Sequence, residues 1–253
     1  MDGKEKNVRQ DPPEDGKLTP GDLTESSRTV RKLDNFWYHY KWTVIIGVFF
    51  LLIFIVGIVQ IASRVDYDLY ITVAVPYTMN ATEKDDLIEL LQKVCPRDFN
   101  GDGEVHVYIQ TYQVYSDEEY ASERAYWEAQ SEQFQVNSVY NQSQIKQFNS
   151  YIMNGQSTLL VLSPYMYAEK ANADLLLPIA DVYGSEPLPV GVTEDGYGIR
   201  LSETDFYRYN PAAQVLPADT ILCLHNPVWW GETYDDSAAR EMFHALADWR
   251  VKQ

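Results

Sequence analysis

Residues 69–94 read LYITVAVPYTMNATEKDDLIELLQKV, and this stretch decides the fold class. Its first seven residues form an apolar, β-branched run that stops at Pro76, as expected for a buried strand. Thr82, with Asp85 three residues later, is a candidate N-cap for a helix. Apolar residues then recur at helical spacing, at Leu87, Ile88, Leu91 and Val94. A buried strand followed by an amphipathic helix is typical of an α/β domain.

The alternation of strands and helices continues along the chain. Residues 105–114 alternate apolar and polar side chains as a strand does, and Ser116 with Glu119 indicates a capping box that opens a helix. A helix predicted around residues 142–154 ends at Gly155 and precedes an apolar strand at 158–162. A strand at 220–224 and a terminal amphipathic helix complete the pattern. We therefore predict a mainly parallel sheet flanked by helices on both faces.

Before this domain, residues 43–62 read TVIIGVFFLLIFIVGIVQIA and contain no charged residue. About 20 apolar residues in a helix span the hydrocarbon layer of a bilayer. A cleavable signal peptide is the alternative, but this run is longer than the apolar part of a typical one, and a polar segment of 42 residues precedes it. We predict one transmembrane helix at residues 43–63, with the lipid bilayer as its partner.

Charged residues near the span predict its orientation. Arg28, Arg31, Lys32 and Lys41 lie before it, whereas only Arg64 lies close behind it. Because basic residues favour the cytoplasmic side, the N-terminus should be cytoplasmic and residues 66–253 should form an extracellular domain of a cell-membrane protein. Residues 1–30 are polar and are predicted to be a disordered cytoplasmic tail. Residues 31–42 should form an aromatic and basic juxtamembrane segment.

The net charge of −17 falls on residues 64–253, since the first 42 residues carry eight basic and eight acidic side chains. An acidic domain argues against nucleic acid as a partner and is compatible with cationic ligands. Cys95 and Cys223 both lie in the predicted extracellular domain, where a disulfide could persist. Spacing alone does not indicate whether the two sulfur atoms meet.

The stretch DFNGDGEV at residues 98–105 matches the first half of a calcium loop. Asp98, Asn100 and Asp102 would supply side-chain oxygens, and Glu104 its carbonyl oxygen. Ile109 stands where an EF-hand has its closing glutamate, so calcium would need another carboxylate. The candidates lie at residues 85, 86 and 89 and at 117–119. The alternative is a set of Asx and glycine turns that needs no metal.

Residues 144–182, QIKQFNSYIMNGQSTLLVLSPYMYAEKANADLLLPIADV, resemble the extracellular solute-binding proteins of bacterial ABC transporters. In that family a helix ends at a glycine, an apolar strand and a short helix follow, and then comes a phrase similar to LLLPIAD. The resemblance implies a periplasmic-binding-protein-like lobe of type 2 and a bacterial source. It also implies that the strand at 220–224 returns to this lobe. The chain is too short for a full second lobe, so the resemblance predicts a truncated one.

The predicted function is binding without catalysis. No histidine spacing suits a metal enzyme, and no nucleophile elbow, P-loop or dinucleotide fingerprint occurs. Ligands of open parallel sheets lie beyond the carboxyl ends of the strands, and aromatic residues follow several strands. A small molecule, a glycan or an envelope protein is the expected partner. The alternative is a structural or assembly subunit of a cell-envelope complex with no ligand pocket. The predicted ligand-binding residues are Tyr77, Tyr165, Tyr167, Asn226, Trp229 and Trp230.

Overall fold

The computed structural model describes residues 20–130, 137–155, 157–226 and 235–251. The chain divides into two compact units, Met1–Arg64 and Val65–Gln253. The second unit begins one residue before residue 66, where the predicted extracellular domain begins. Trp229 and Trp230 lie outside the described residues.

The first unit contains one long helix, α1 (Pro20–Ala62). Residues Asn35–Ile61 of α1 are long and apolar enough to cross a membrane. The helix begins at Pro20, inside the segment predicted as a tail, and proline is favoured at a first helical position because its missing N–H is not needed there. The predicted tail residues 1–19 lie outside the described residues.

The second unit alternates strands and helices, as predicted. Its strands are β1 (Leu69–Val75), β2 (Val107–Gln113), β3 (Leu159–Leu162), β4 (Gly198–Arg200) and β5 (Ile221–Leu224). Its helices are α2 (Ala81–Val94), α3 (Asp117–Ala129), α4 (Ser138–Met153), α5 (Pro164–Asn172), α6 (Ile179–Tyr183), α7 (Asp205–Tyr209) and α8 (Ser237–Ala247). Two short 3-10 helices span Leu201–Glu203 and Ala213–Val215.

The five strands form one sheet in the order β2-β1-β3-β5-β4. β1 pairs with β2 and with β3 in parallel, whereas β5 pairs with β3 and with β4 in the antiparallel sense. The sheet is therefore mixed, and the prediction of a mainly parallel sheet is confirmed only as an α/β sheet. Strand direction was missed because it depends on long-range pairing, which the apolar pattern of a buried strand does not encode.

Alternate side chains of each strand enter two separate cores. One core lies under α2, α6, α7 and α8, and Ile71, Ile109 and Leu222 contribute to it from the sheet. The other core lies under α4 and α5, and Ala74, Leu160 and Cys223 contribute to it. Helices thus cover both faces of the sheet, as the apolar strands predicted.

Helix ends were predicted with mixed success. The capping box of Ser116 and Glu119 is confirmed at the start of α3. Thr82 is not the cap of α2, because the side chain of Asn80 accepts a hydrogen bond from the N–H of Glu83 and Glu83 in turn bonds the N–H of Asn80. Residues 80–85, NATEKD, contain two possible capping boxes, Asn80 with Glu83 and Thr82 with Asp85. Only the tertiary path of the chain selects one of them.

Candidate functional site

The carboxyl ends of β1, β2 and β3 meet at one edge of the sheet. The N–H of Val114 donates to the carbonyl oxygen of Val75 at 3.0 Å, and the N–H of Ser163 donates to that of Ala74 at 2.9 Å. Helices α2, α3 and α5 start at this edge, each with a side-chain N-cap. We call this edge the carboxyl edge. It is the position at which ligands of open α/β sheets bind.

Two of the predicted aromatic residues do lie exposed next to strands at the carboxyl edge. Tyr77 follows β1, Tyr165 is the second residue of α5 after β3, and each is 38 % exposed. The hydroxyl of Tyr77 is 2.9 Å from Oε2 of Glu83, and this hydrogen bond raises the pKa of Tyr77. Tyr77 is therefore hydrogen-bonded to the first turn of α2.

Tyr167 is buried, so it is not part of an exposed rim. Its hydroxyl donates to Oδ1 of Asp195 at 2.5 Å and lies 2.9 Å from the hydroxyl oxygen of Thr193. Burial and the bond to Asp195 raise the pKa of Tyr167. Residues 165 and 167 differ in exposure because they are two positions apart in a helix and so point to opposite sides.

Asn226 lies away from the carboxyl edge. It follows β5, which runs antiparallel to β3, so its backbone leaves the sheet at the opposite edge. The N–H of Asn226 donates to the carbonyl oxygen of Leu175. The predicted rim assumed that every strand runs in the same direction, and the reversed β5 separates Asn226 from Tyr77 and Tyr165.

The DFNGDG loop forms a series of turns closed by its own side chains. Asp98 accepts hydrogen bonds from the N–H of Gly101 at 2.6 Å and of Gly103 at 2.8 Å. Asn100 accepts from Asp102, and Asp102 accepts from Glu104, each at 2.9 Å. Gly101 and Gly103 adopt φ of 77° and 94°, which a side chain would disfavour.

A carboxylate from outside the loop does approach it, but it comes from none of the candidates named from the sequence. Asp68 accepts from the N–H of Phe99 at 2.7 Å and from that of Asn100 at 3.0 Å. Within the described ranges, no group of three His, Cys, Asp or Glu side chains is arranged to hold a metal. Calcium at Asp98, Asn100, Asp102 and Glu104 stays a prediction.

An open groove of about 400 Å³ lies beside α2. We call it the α2 groove. Its volume lies within the usual range for ligand sites. Carboxylates of α2 make one wall acidic, and Pro211, Ala212 and Val215 make the other wall apolar. The lining residues are Glu83, Asp86, Glu89, Leu90, Lys93, Pro211, Ala212 and Val215.

The carboxylates of the α2 groove have different roles. Glu83 caps α2 and bonds Tyr77, so its oxygens are already engaged. Glu89 bonds Nζ of Lys93 at 2.5 Å, and this bond lowers the pKa of Glu89. Asp86 is exposed. The groove therefore combines two surface carboxylates with a lysine that already neutralises one of them.

The acidic wall could have been found from the sequence, because Glu83, Asp86 and Glu89 recur every three residues on the predicted helix and so share a face. The apolar wall could not have been found in this way. Pro211, Ala212 and Val215 are more than 110 residues further along the chain, and only the folded chain brings them to α2.

Two further polar side chains are buried, Lys170 of α5 and His225 after β5. Lys170 is 3 % exposed, and its Nζ donates to Oδ1 of Asn149 at 2.6 Å and to Oε1 of Glu169 at 2.9 Å. Nε2 of His225 is buried and has no hydrogen-bond partner among the described residues. Burial and, after it, the charge of Lys170 lower the pKa of His225 to about 4. His225 is thus a neutral interior side chain at pH 7.

Cys95 and Cys223 are free thiols. Cys223 is buried in the core under α4 and α5, whereas Cys95 packs against the core on the other face of the sheet. Burial raises the pKa of both thiols.

No protein family, no curated protein and no solved structure matches this chain.

Proposed function

We propose that this protein is a non-catalytic, membrane-anchored binding protein whose α2 groove takes a cationic ligand with an apolar portion. The acidic wall of Asp86 and Glu89 opposite the apolar Pro211, Ala212 and Val215 carries this proposal. Carboxylates form strong, charge-assisted hydrogen bonds with ammonium and guanidinium groups. The apolar wall would contact the hydrocarbon part of the same ligand.

The charge of the domain supports a cationic ligand. Residues 64–253 carry the whole net charge of −17, so their field concentrates cations near the surface and repels anions. Exposed carboxylates bind weakly at physiological salt, so the ligand should carry two or more charges. An alkyl polyamine and a short lysine-rich peptide both have this chemistry.

Two further parts of the proposal concern the orientation of the protein in the membrane and the type of fold of its second unit. The basic residues before α1 support an N-terminus in the cytoplasm and a domain outside the cell. β5 comes late in the chain and inserts next to β3, which is the returning strand that the resemblance to solute-binding proteins implies. This supports a truncated lobe of that kind.

Isothermal titration of the full-length chain in detergent micelles with spermidine tests the proposal. Replacing Asp86→Asn and Glu89→Gln together should weaken spermidine binding about ten-fold, because the groove loses both of its exposed carboxylate charges. Glu118→Gln with Glu123→Gln on α3 makes the same change of charge on exposed residues outside the groove. This control variant should bind spermidine with an affinity within about two-fold of that of the unchanged chain.

Two results would overturn the proposal. One is the absence of spermidine binding at low salt. The other is equal weakening by the groove pair and the α3 pair, which would indicate a diffuse field in place of a site.

An assembly role is the second candidate, and the open edge of the sheet at β2 favours it. β2 pairs with β1 on one side, and it stands at one end of the strand order of the sheet.

A further inference from the structure

β2 is an unusual edge strand. It is seven residues long, reads VYIQTYQ and contains neither a charged residue nor a proline. Proteins commonly protect edge strands with lysine, proline or a bulge, because an open edge offers unpaired backbone groups to other chains. Here the nearby cation comes from α2, where Nζ of Lys84 lies 5.8 Å from the ring centroid of Tyr108.

The hydrogen bonds of the sheet indicate which backbone groups of β2 face outward. The N–H of Val114 donates to Val75 in β1, so residues 108, 110 and 112 also face β1, because alternate residues of a strand share a side. The odd-numbered residues 107, 109, 111 and 113 face away. Across the described residues, one hydrogen bond reaches their backbone groups, a 3.4 Å bond from Nε2 of Gln110 to the carbonyl oxygen of Thr111.

We propose that β2 pairs with β2 of a second copy of this chain, antiparallel, about a two-fold axis at Gln110. Ile109 then lies opposite Thr111 of the other copy, and Val107 lies opposite Gln113. Every outward residue meets another outward residue, so the pair forms about eight backbone hydrogen bonds. The two sheets become one.

The side chains of β2 support a second copy as the occupant. A two-fold interface must be complementary to itself, and like charges opposite each other would oppose pairing. β2 is uncharged in a domain that carries a net charge of −17, so this strand can approach its copy without repulsion from its own side chains.

The same register also pairs compatible side chains. The amide of Gln110 meets the amide of the other Gln110, and each amide both donates and accepts hydrogen bonds. Tyr108 lies opposite Tyr112 of the other copy, and neither side chain carries a charge.

Disulfide cross-linking of the full-length chain tests the register. Cys95→Ser removes the half-exposed thiol, and Cys223 stays because it is fully buried. Gln110→Cys places two thiols opposite each other at the axis, with Cβ atoms about 4.5–5.5 Å apart, close enough for a disulfide. Gln113→Cys is the matched control on the same strand, because its two copies are six residues apart along the pair, about 20 Å.

Mild oxidation in detergent micelles should link Gln110→Cys into a dimer and leave Gln113→Cys monomeric. Equal linking of both variants would indicate a parallel pair or random collision and would overturn the proposal. The absence of a link at Gln110→Cys would overturn it as well.

A second measurement tests the backbone bonds. Thr111→Pro removes an N–H that faces outward and leaves the ladder to β1 intact, and proline is tolerated on edge strands for this reason. Light scattering should give a dimer for the unchanged chain and for Thr111→Val, which keeps the N–H, and a monomer for Thr111→Pro. A monomeric unchanged chain or a dimeric Thr111→Pro would overturn the proposal.

Discussion

The carboxylate of Asp68 accepts a hydrogen bond from the backbone N–H of His106 at 2.8 Å, across 38 residues of chain. Its other oxygen accepts from the N–H groups of Phe99 and Asn100. One side chain thus ties the DFNGDG loop and the start of β2 to the start of β1. Because β1 and β2 are parallel neighbours, this carboxylate helps to set where their pairing begins.

Asp68 should make stability depend on acid pH. Burial opposes its ionisation, but the hydrogen bonds from His106, Asn100 and Phe99 outweigh burial and lower the pKa of Asp68. A lowered pKa contributes stability that is present above the unfolded value of about 3.9 and is lost as pH falls through the folded value. Urea unfolding between pH 2 and 6 should show a smaller pH dependence for Asp68→Asn. An unchanged acid profile in that variant would contradict the prediction.

His225 should make the stability of the fold depend on pH in a higher range than Asp68 does. Its pKa is lowered from 6.5 to about 4, so the unfolded chain takes up a proton first as pH falls. Stability should therefore decrease between pH 6.5 and 4, by about 3 kcal/mol at most, since a tenfold difference in proton affinity between the folded and unfolded chains corresponds to about 1.4 kcal/mol. His225→Phe removes the titrating group at similar volume. The melting temperature of this variant should change less between pH 6.5 and 4 than that of the unchanged chain. A variant that loses stability as steeply as the unchanged chain would exclude His225 as the cause.

Lys93 should compete with a cationic ligand in the α2 groove. Its Nζ bonds Glu89 at 2.5 Å, so it already occupies one carboxylate of the acidic wall. Lys93→Met frees Glu89 and keeps a similar chain length, and spermidine affinity should rise about three- to ten-fold. Isothermal titration measures the change. Lys146→Met on α4 is a control for total charge, and a similar gain there would mean that only the overall field had changed.

The calcium hypothesis makes a separate prediction. After EDTA treatment, millimolar calcium should raise the melting temperature of the full-length chain, because a ligand that binds the folded state alone stabilises it. Asp102→Asn should reduce the shift, since it removes a charged oxygen of the loop. Magnesium should have less effect, because it requires a smaller and more rigid shell. The absence of a calcium shift in the unchanged chain would leave the loop as a set of turns.

The elements of the fold were largely predictable from local patterns. The run LYITVAV at 69–75 predicted β1 with the correct ends, and Ser116 with Glu119 predicted the start of α3. Such patterns are informative because burial imposes one spacing on a strand and another on a helix. The structure separates the residues of the predicted ligand rim. Tyr77 and Tyr165 are exposed next to strands at the carboxyl edge, whereas Tyr167 is buried and Asn226 lies at the opposite edge. Ligand binding by Tyr77 and Tyr165 stays a prediction.

The α2 groove was also predictable only in part from the sequence. Its acidic wall is a local feature of one helix, and the spacing of Asp86 and Glu89 follows from 3.6 residues per turn. Its apolar wall comes from Pro211, Ala212 and Val215, whose position depends on the path of the chain through β4 and α7. No local pattern states which distant segment will pack against a helix.

The amino-acid sequence by itself determined the apolar helix, the α/β class and the acidic charge of the domain, because length, periodicity and composition act locally or sum over the chain. Only the tertiary structure decided that β5 runs antiparallel, that Tyr167 is buried and that Asp68 holds the DFNGDG loop. It also decided that β2 forms an edge of the sheet. These features depend on which distant segments pair, and that choice is made by the packing of the whole core.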